Sequence, residues 1–237
     1  MKRNLFLGLL ALTAVIAVSW YFDRDWKLSR SSVQPSAANQ PSVSVAEEKN
    51  PEKEVGEKVV VKNDSPASES KEALKAMAAE IISRPIMASA PLAEIDRKRA
   101  ERKIKEMIDL IKIDYDNIYP WYDLGAYRRV IGDFEGAAEA WAFGTLIRPK
   151  DYIGYQNLGD LYGFYVKDYP KSEENYFKSI QNNPQNIQAY LDLAIIYESV
   201  YKEKSDQIES ILLRGLMANP DNLRLKSALE NYYSKLE

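Results

Sequence analysis

The chain contains neither cysteine nor histidine. Without cysteine there is no disulfide, no thiolate nucleophile, no cysteine zinc site and no cysteine-linked lipid anchor. Without histidine there is no Ser-His-Asp triad, no paired-histidine zinc helix and no imidazole pH switch. A phosphate-cradling glycine loop is also missing. Asp114-Tyr115-Asp116-Asn117 opens in the manner of a calcium loop. Tyr119 and Gly125, however, stand where that loop needs its glycine and its final glutamate. Charge of one sign is lacking too: 32 Lys and Arg face 35 Asp and Glu, for a net of −3. A nucleic-acid binder would be expected to carry a strongly basic patch. Carboxylates are plentiful, yet nothing picks out a general acid and base. These absences predict no catalytic, cofactor or metal site, no nucleic acid and no small-molecule substrate. With 237 residues, one or two domains are expected.

What is present begins with Met1-Lys2-Arg3, followed by an apolar run from Leu5 to Phe22. As a helix those eighteen residues reach roughly 27 Å, close to the hydrocarbon thickness of a bilayer. Trp20 and Tyr21 stand where an interfacial aromatic belt belongs. The run predicts a single-pass signal anchor over residues 1–28. A cleaved signal peptide using Ala17-Val18-Ser19 is the competing reading, and it would make the protein secreted. Lys2 and Arg3 favour an inside amino terminus, with the remaining chain extracytoplasmic; Arg24, Lys27 and Arg30 oppose that orientation. Residues 29–65 are rich in Ser, Pro, Ala, Glu, Lys and Val and hold no aromatic residue. Such a segment buries too little surface to offset its ordering entropy, so a disordered linker is expected.

Two helices are predicted over residues 66–117. One starts at Ser65-Pro66, carries Leu74, Met77, Ala78, Ile81 and Ile82 on one face, and ends before Pro85. The other follows Pro91 and carries Ile95, Ala100, Ile104, Met107, Ile108 and Ile111. Arg97-Lys98-Arg99 with Arg102 and Lys103 is interleaved with Glu94, Asp96, Glu101 and Glu106. That pattern reads as a salt-bridged solvent face.

From Trp121 onward a pattern recurs near every 34 residues. Trp121, Leu124 and Gly125 return as Tyr155, Leu158 and Gly159, then as Tyr190, Leu193 and Ala194. Each copy closes on a polar proline turn, at Pro149, Pro184 and Pro220. Leu158 to Leu193 is 35 residues and Pro184 to Pro220 is 36, so the later copies carry small insertions. A helical hairpin of this length cannot bury its apolar face alone, and copies must stack. The residues Trp121-x-x-Leu124-Gly125-x-Tyr127, Ala137, Trp141 and Pro149 resemble the tetratricopeptide repeat signature. So do Tyr155, Leu158-Gly159, Tyr162, Tyr176 and Pro184, and, most loosely, Tyr190, Leu193-Ala194, Tyr197, Leu212, Gly215 and Pro220. The resemblance implies an all-α, tetratricopeptide-type helical-hairpin solenoid: three repeats over 118–220, a capping or divergent half-repeat at 66–117, and a C-terminal capping helix at 221–237.

It also implies a protein or peptide partner. In this family the inner wall comes from fixed positions of each first helix. Carried onto this chain, the wall is Tyr119, Tyr122, Ala126, Arg129 and Val130, then Ile153, Gln156, Asp160, Gly163 and Phe164, then Gln188, Leu191, Ile195, Glu198 and Ser199. The repeats that grip chaperone carboxylates place lysine and asparagine where this chain has Tyr122 and Ala126, so that use is not expected. The function expected is a membrane-tethered interaction scaffold. A structural subunit of an envelope complex and a non-catalytic regulatory subunit of an enzyme are the alternatives.

Overall fold

The computed structural model describes the backbone of residues 66–237 and the side chains of 70–237. The expected anchor at 1–28 and linker at 29–65 lie outside the described residues. Among the described residues no helix is long and apolar enough to cross a membrane, and all regular structure is helical.

Among the described residues nine α-helices follow one another: α1 (Pro66–Ser83), α2 (Glu94–Ile113), α3 (Ile118–Val130), α4 (Phe134–Ile147), α5 (Tyr152–Asp160), α6 (Tyr169–Asn182), α7 (Ile187–Ser199), α8 (Ile208–Ala218) and α9 (Leu223–Ser234). The pairs α3/α4, α5/α6 and α7/α8 are the three repeated hairpins, and each packs on the next. The polar residues of the turns cap the helices that follow. Asn117, Asp133, Asp151, Asp168 and Asn222 each accept a hydrogen bond from a backbone N–H in the next first turn, which satisfies donors the helix itself leaves open. Successive turns are also linked. Arg148 donates to Asp116, Asn182 to the Pro149 carbonyl at 3.0 Å, and Asn219 to the Pro184 carbonyl at 3.3 Å.

The repeated small residue of each first helix lets the second helix of the same hairpin come close. A methyl group at Gly125 would overlap the Trp141 ring, and one at Gly159 would sit 3.0 Å from the Tyr176 ring. In the third copy the pair changes together: Ala194 replaces glycine and Leu212 replaces the ring, both buried in one cluster. The summed volume is kept, so the least recognisable second helix still packs.

The two insertions are absorbed locally. After α5 the chain runs through a π-helical turn at Leu161–Val166, then through Lys167 at φ 66. After α7 it makes a 3₁₀ turn at Lys202–Gln207. Both lie between the helices of a hairpin, where the longer spacings require them.

Helices α1 and α2 precede the first repeated hairpin. Helix α2 packs along α3, and α1 touches α2 and α4. The connecting strap, 84–92, is fastened by a fully buried side chain, Arg128. Its guanidinium pairs with buried Asp133 and donates to the carbonyl oxygens of Arg84 and Pro85. The N–H groups of Ser89 and Ala90 both donate to the Ile131 carbonyl, at 2.8 and 2.9 Å. Gly132 beside them has φ +82, a left-handed conformation that favours glycine. The basic cluster of α2 is salt-bridged along its own helix, through Arg97–Glu101 at 2.7 Å, Lys98–Glu94 at 3.2 Å and Arg99–Asp96 at 3.1 Å.

Candidate functional site

The wall positions of the three first helices meet different fates. In the first copy Tyr119 is 63% exposed. Tyr122, placed on the wall by its repeat position, is instead buried with Trp141 and Leu158. Its backbone carbonyl accepts from the Trp141 indole N–H at 3.0 Å. The cause is shared between its own hairpin and the next: Gly144 of α4 and Gly154 of α5 leave room for the ring. Burial, then the Asp151 carboxylate, raise its phenol well above the ordinary tyrosine value. Arg129 is half-buried, its guanidinium 5.7 Å from the Trp141 ring centroid and 5.3 Å from that of Tyr165. Ala126 and Val130 are half-buried beside it.

In the second copy Ile153 packs partly buried against the Tyr122 cluster. The Gln156 side-chain carbonyl accepts from Asn186 at 2.7 Å, across to the start of α7. Asp160 accepts from the Tyr176 hydroxyl at 2.5 Å. Gly163 is buried, while Phe164, Tyr165 and Val166 of the π-helical turn stay 42–45% exposed.

The third copy is where the predicted residues converge. Gln188, Leu191, Ile195 and Glu198 lie on one side of a cleft of about 520 Å³. Leu223, Arg224, Ala228 and Tyr232 of α9 form the other side, and Leu212 and Ile208 contribute to its lining. Ser199 is exposed beyond it. Polar contacts bracket the slot. The Gln188 carbonyl accepts from Arg224 at 2.9 Å toward one end, and Glu198 accepts from Lys235 at 2.5 Å toward the other. The α9 side of the cleft is not read from the repeat positions, which stop at the third hairpin. Its signal is the spacing Leu225, Ala228, Leu229 and Tyr232, which gives α9 one apolar side. Leu225 is spent on the core, and Leu223, Ala228 and Tyr232 are left facing α7.

Two carboxyls, Asp160 of the wall and Asp192 on α7, are displaced from the usual aspartate range. Burial raises Asp160 to about 6, against the opposing hydrogen bond from Tyr176 and the charge of Arg129. Burial also raises Asp192 to about 7, reinforced by the charge of Asp160 and opposed by Gln188 and Arg224.

No protein-family model and no curated protein matches this chain. Solved structures do. A crystal structure of MamA is 19% identical, with a TM-score of 0.47 over 62% of this chain and 86% of that one. A second crystal structure of MamA protein is 16% identical, with a TM-score of 0.48 over 70% and 82%. The MamA RS-1 ArsTM double mutant is 13% identical, with a TM-score of 0.48 over 70% and 84%.

Proposed function

We propose that this chain is a membrane-tethered, non-catalytic scaffold that grips a peptide or protein segment along the wall of its first helices, with the α7–α9 cleft as the main grip. The observation that carries this reading is the convergence of Gln188, Leu191, Ile195 and Glu198 on one open slot. An apolar floor with polar ends suits a segment that offers apolar anchors. Tethering rests on the apolar run from Leu5 to Phe22, and it would raise the module's local concentration for partners at the same membrane. We place the repeats on the extracytoplasmic side from Lys2 and Arg3.

The structural-subunit reading calls for a broad apolar surface away from the cleft. Ile95, Leu110 and Ile113 of α2 are exposed, but Arg99, Arg102 and Glu106 separate them on the same helix face, so α2 offers no continuous apolar stripe.

The test is partner capture by the full-length chain in its native membrane. Ile195→Glu puts a charge on the cleft wall, at a side chain already 45% exposed. It should lower capture at least about tenfold with little change in melting temperature. Leu146→Glu, on the second helix of the first hairpin, should leave capture intact. Equal loss from both variants would move the binding surface elsewhere. The tether itself is tested by alkaline extraction of membranes: the chain should stay in the pellet, and its release would remove the anchor.

A further inference from the structure

The cleft carries a polar chain that partner binding does not explain. Asp192, half-buried on α7, accepts from the Gln188 amide at 2.7 Å. The other end of that amide accepts from Arg224 on α9 at 2.9 Å. Carboxylate, amide and guanidinium thus run in series from one side of the cleft to the other. An ionised carboxylate only accepts, so it holds the Gln188 NH₂ toward itself and leaves the Gln188 carbonyl for Arg224. The groups acting on this chain come from four other elements. Asp160 at the end of α5 bears on Asp192, the Tyr176 hydroxyl of α6 holds Asp160 and feels both charges, Arg129 of α3 attracts Asp160, and Arg224 of α9 attracts Asp192.

We propose that Asp192 acts through Gln188 as a proton-responsive fastener, holding Arg224 and the start of α9 across α7 when ionised and releasing it when Asp192 takes a proton. Protonation has two consequences for Arg224. It removes the negative charge that draws the guanidinium in. It also gives Asp192 a donor, to which Gln188 can turn its carbonyl, and the Gln188 NH₂ then meets the guanidinium donor to donor. Leu225 stays buried and Lys235 stays on Glu198, so release is confined to the amino-terminal end of α9 and widens the cleft there. Burial and the Asp160 charge raise the Asp192 carboxyl, so the event lies above the pH at which an exposed aspartate titrates. In a chain without histidine, such a fastener supplies a proton response that imidazole would otherwise give.

Carbon-detected NMR of the aspartate carboxyls in the full-length chain tests this between about pH 5 and about pH 8.5. Asp192 is expected to titrate above the ordinary carboxylate range. Arg224→Gln, at an exposed position, should raise its midpoint, and Asp160→Asn should lower it, each by about half a unit or more. In parallel, hydrogen exchange of the α9 amides, corrected for the intrinsic pH effect, should quicken about threefold to tenfold on acidification through the Asp192 midpoint. The Arg224→Gln variant should lose that dependence. An Asp192 midpoint in the ordinary carboxylate range overturns the proposal. So does α9 exchange with the same pH dependence in Arg224→Gln as in the wild type.

Discussion

Gly125 has the Trp141 ring where a side chain would stand, and Trp141 is itself 1% exposed and hydrogen-bonded to the Tyr122 carbonyl. The ring therefore has nowhere to retreat. Gly125→Ala should cost about 1–3 kcal/mol through overpacking, despite the better helix propensity of alanine. Urea unfolding measures this, and an unchanged midpoint would mean that α3 and α4 are farther apart. The glycine was legible in the sequence because its role is set within one hairpin. Tyr122 was not. Its position in the repeat says wall, but Gly144 and Gly154 on the two neighbouring helices draw it inward, and no single-hairpin pattern contains that information. Arg128 was missed for a related reason. It has the composition of a solvent-facing residue, and its partners are the buried cap Asp133 and two carbonyls of a strap more than forty positions earlier. An Asp five residues after an Arg at a helix end is too common a pattern to announce a buried pair.

At the scale of elements, the helices themselves follow from sequence with little loss. The 34-residue recurrence, the proline turns and the Asn and Asp caps mark starts and stops, and the final helix ends at Ser234 as its apolar spacing predicts. What spacing alone leaves open is how an extra residue is housed. In the second hairpin it becomes a π-helical turn that ends on Lys167 in the left-handed region. A residue with a β-carbon is disfavoured there by roughly 1–2 kcal/mol, and glycine is not. Lys167→Gly should therefore stabilise the protein by up to about 1 kcal/mol in urea unfolding. A loss of stability would show that the exposed lysine side chain contributes more than its backbone costs. Helix α9 buries Leu225 fully. That its remaining apolar positions line a cleft with α7 depends on the angle between two helices joined through α8. Repeat spacing does not encode that angle.

At the scale of the whole molecule, the raised carboxyls of the wall give stability a pH dependence. In the unfolded chain Asp160 and Asp192 titrate near the ordinary value of about 3.9, whereas burial raises the pair to about 6 and about 7 in the folded chain. Between these limits the folded state holds more protons, so stability falls as pH rises across the window. Melting temperature should decline from about pH 5 to about pH 7.5. Asp192→Asn should flatten that decline and raise the melting point at the upper end, as followed by circular dichroism. A profile that climbs across the same window would mean the two carboxyls are ionised and paired in the folded chain.

The proposed function puts partner contact on the surface of the first helices. Photocrosslinking tests this most directly. A photoreactive residue is placed singly at Ile195 or Leu223 in the cleft, and at Leu146 or Leu213 on the second helices, in the full-length chain in its native cells. One discrete partner band is expected from both cleft positions and none from the second-helix positions. The same band from Leu146 and Leu213, with none from Ile195 and Leu223, would contradict it.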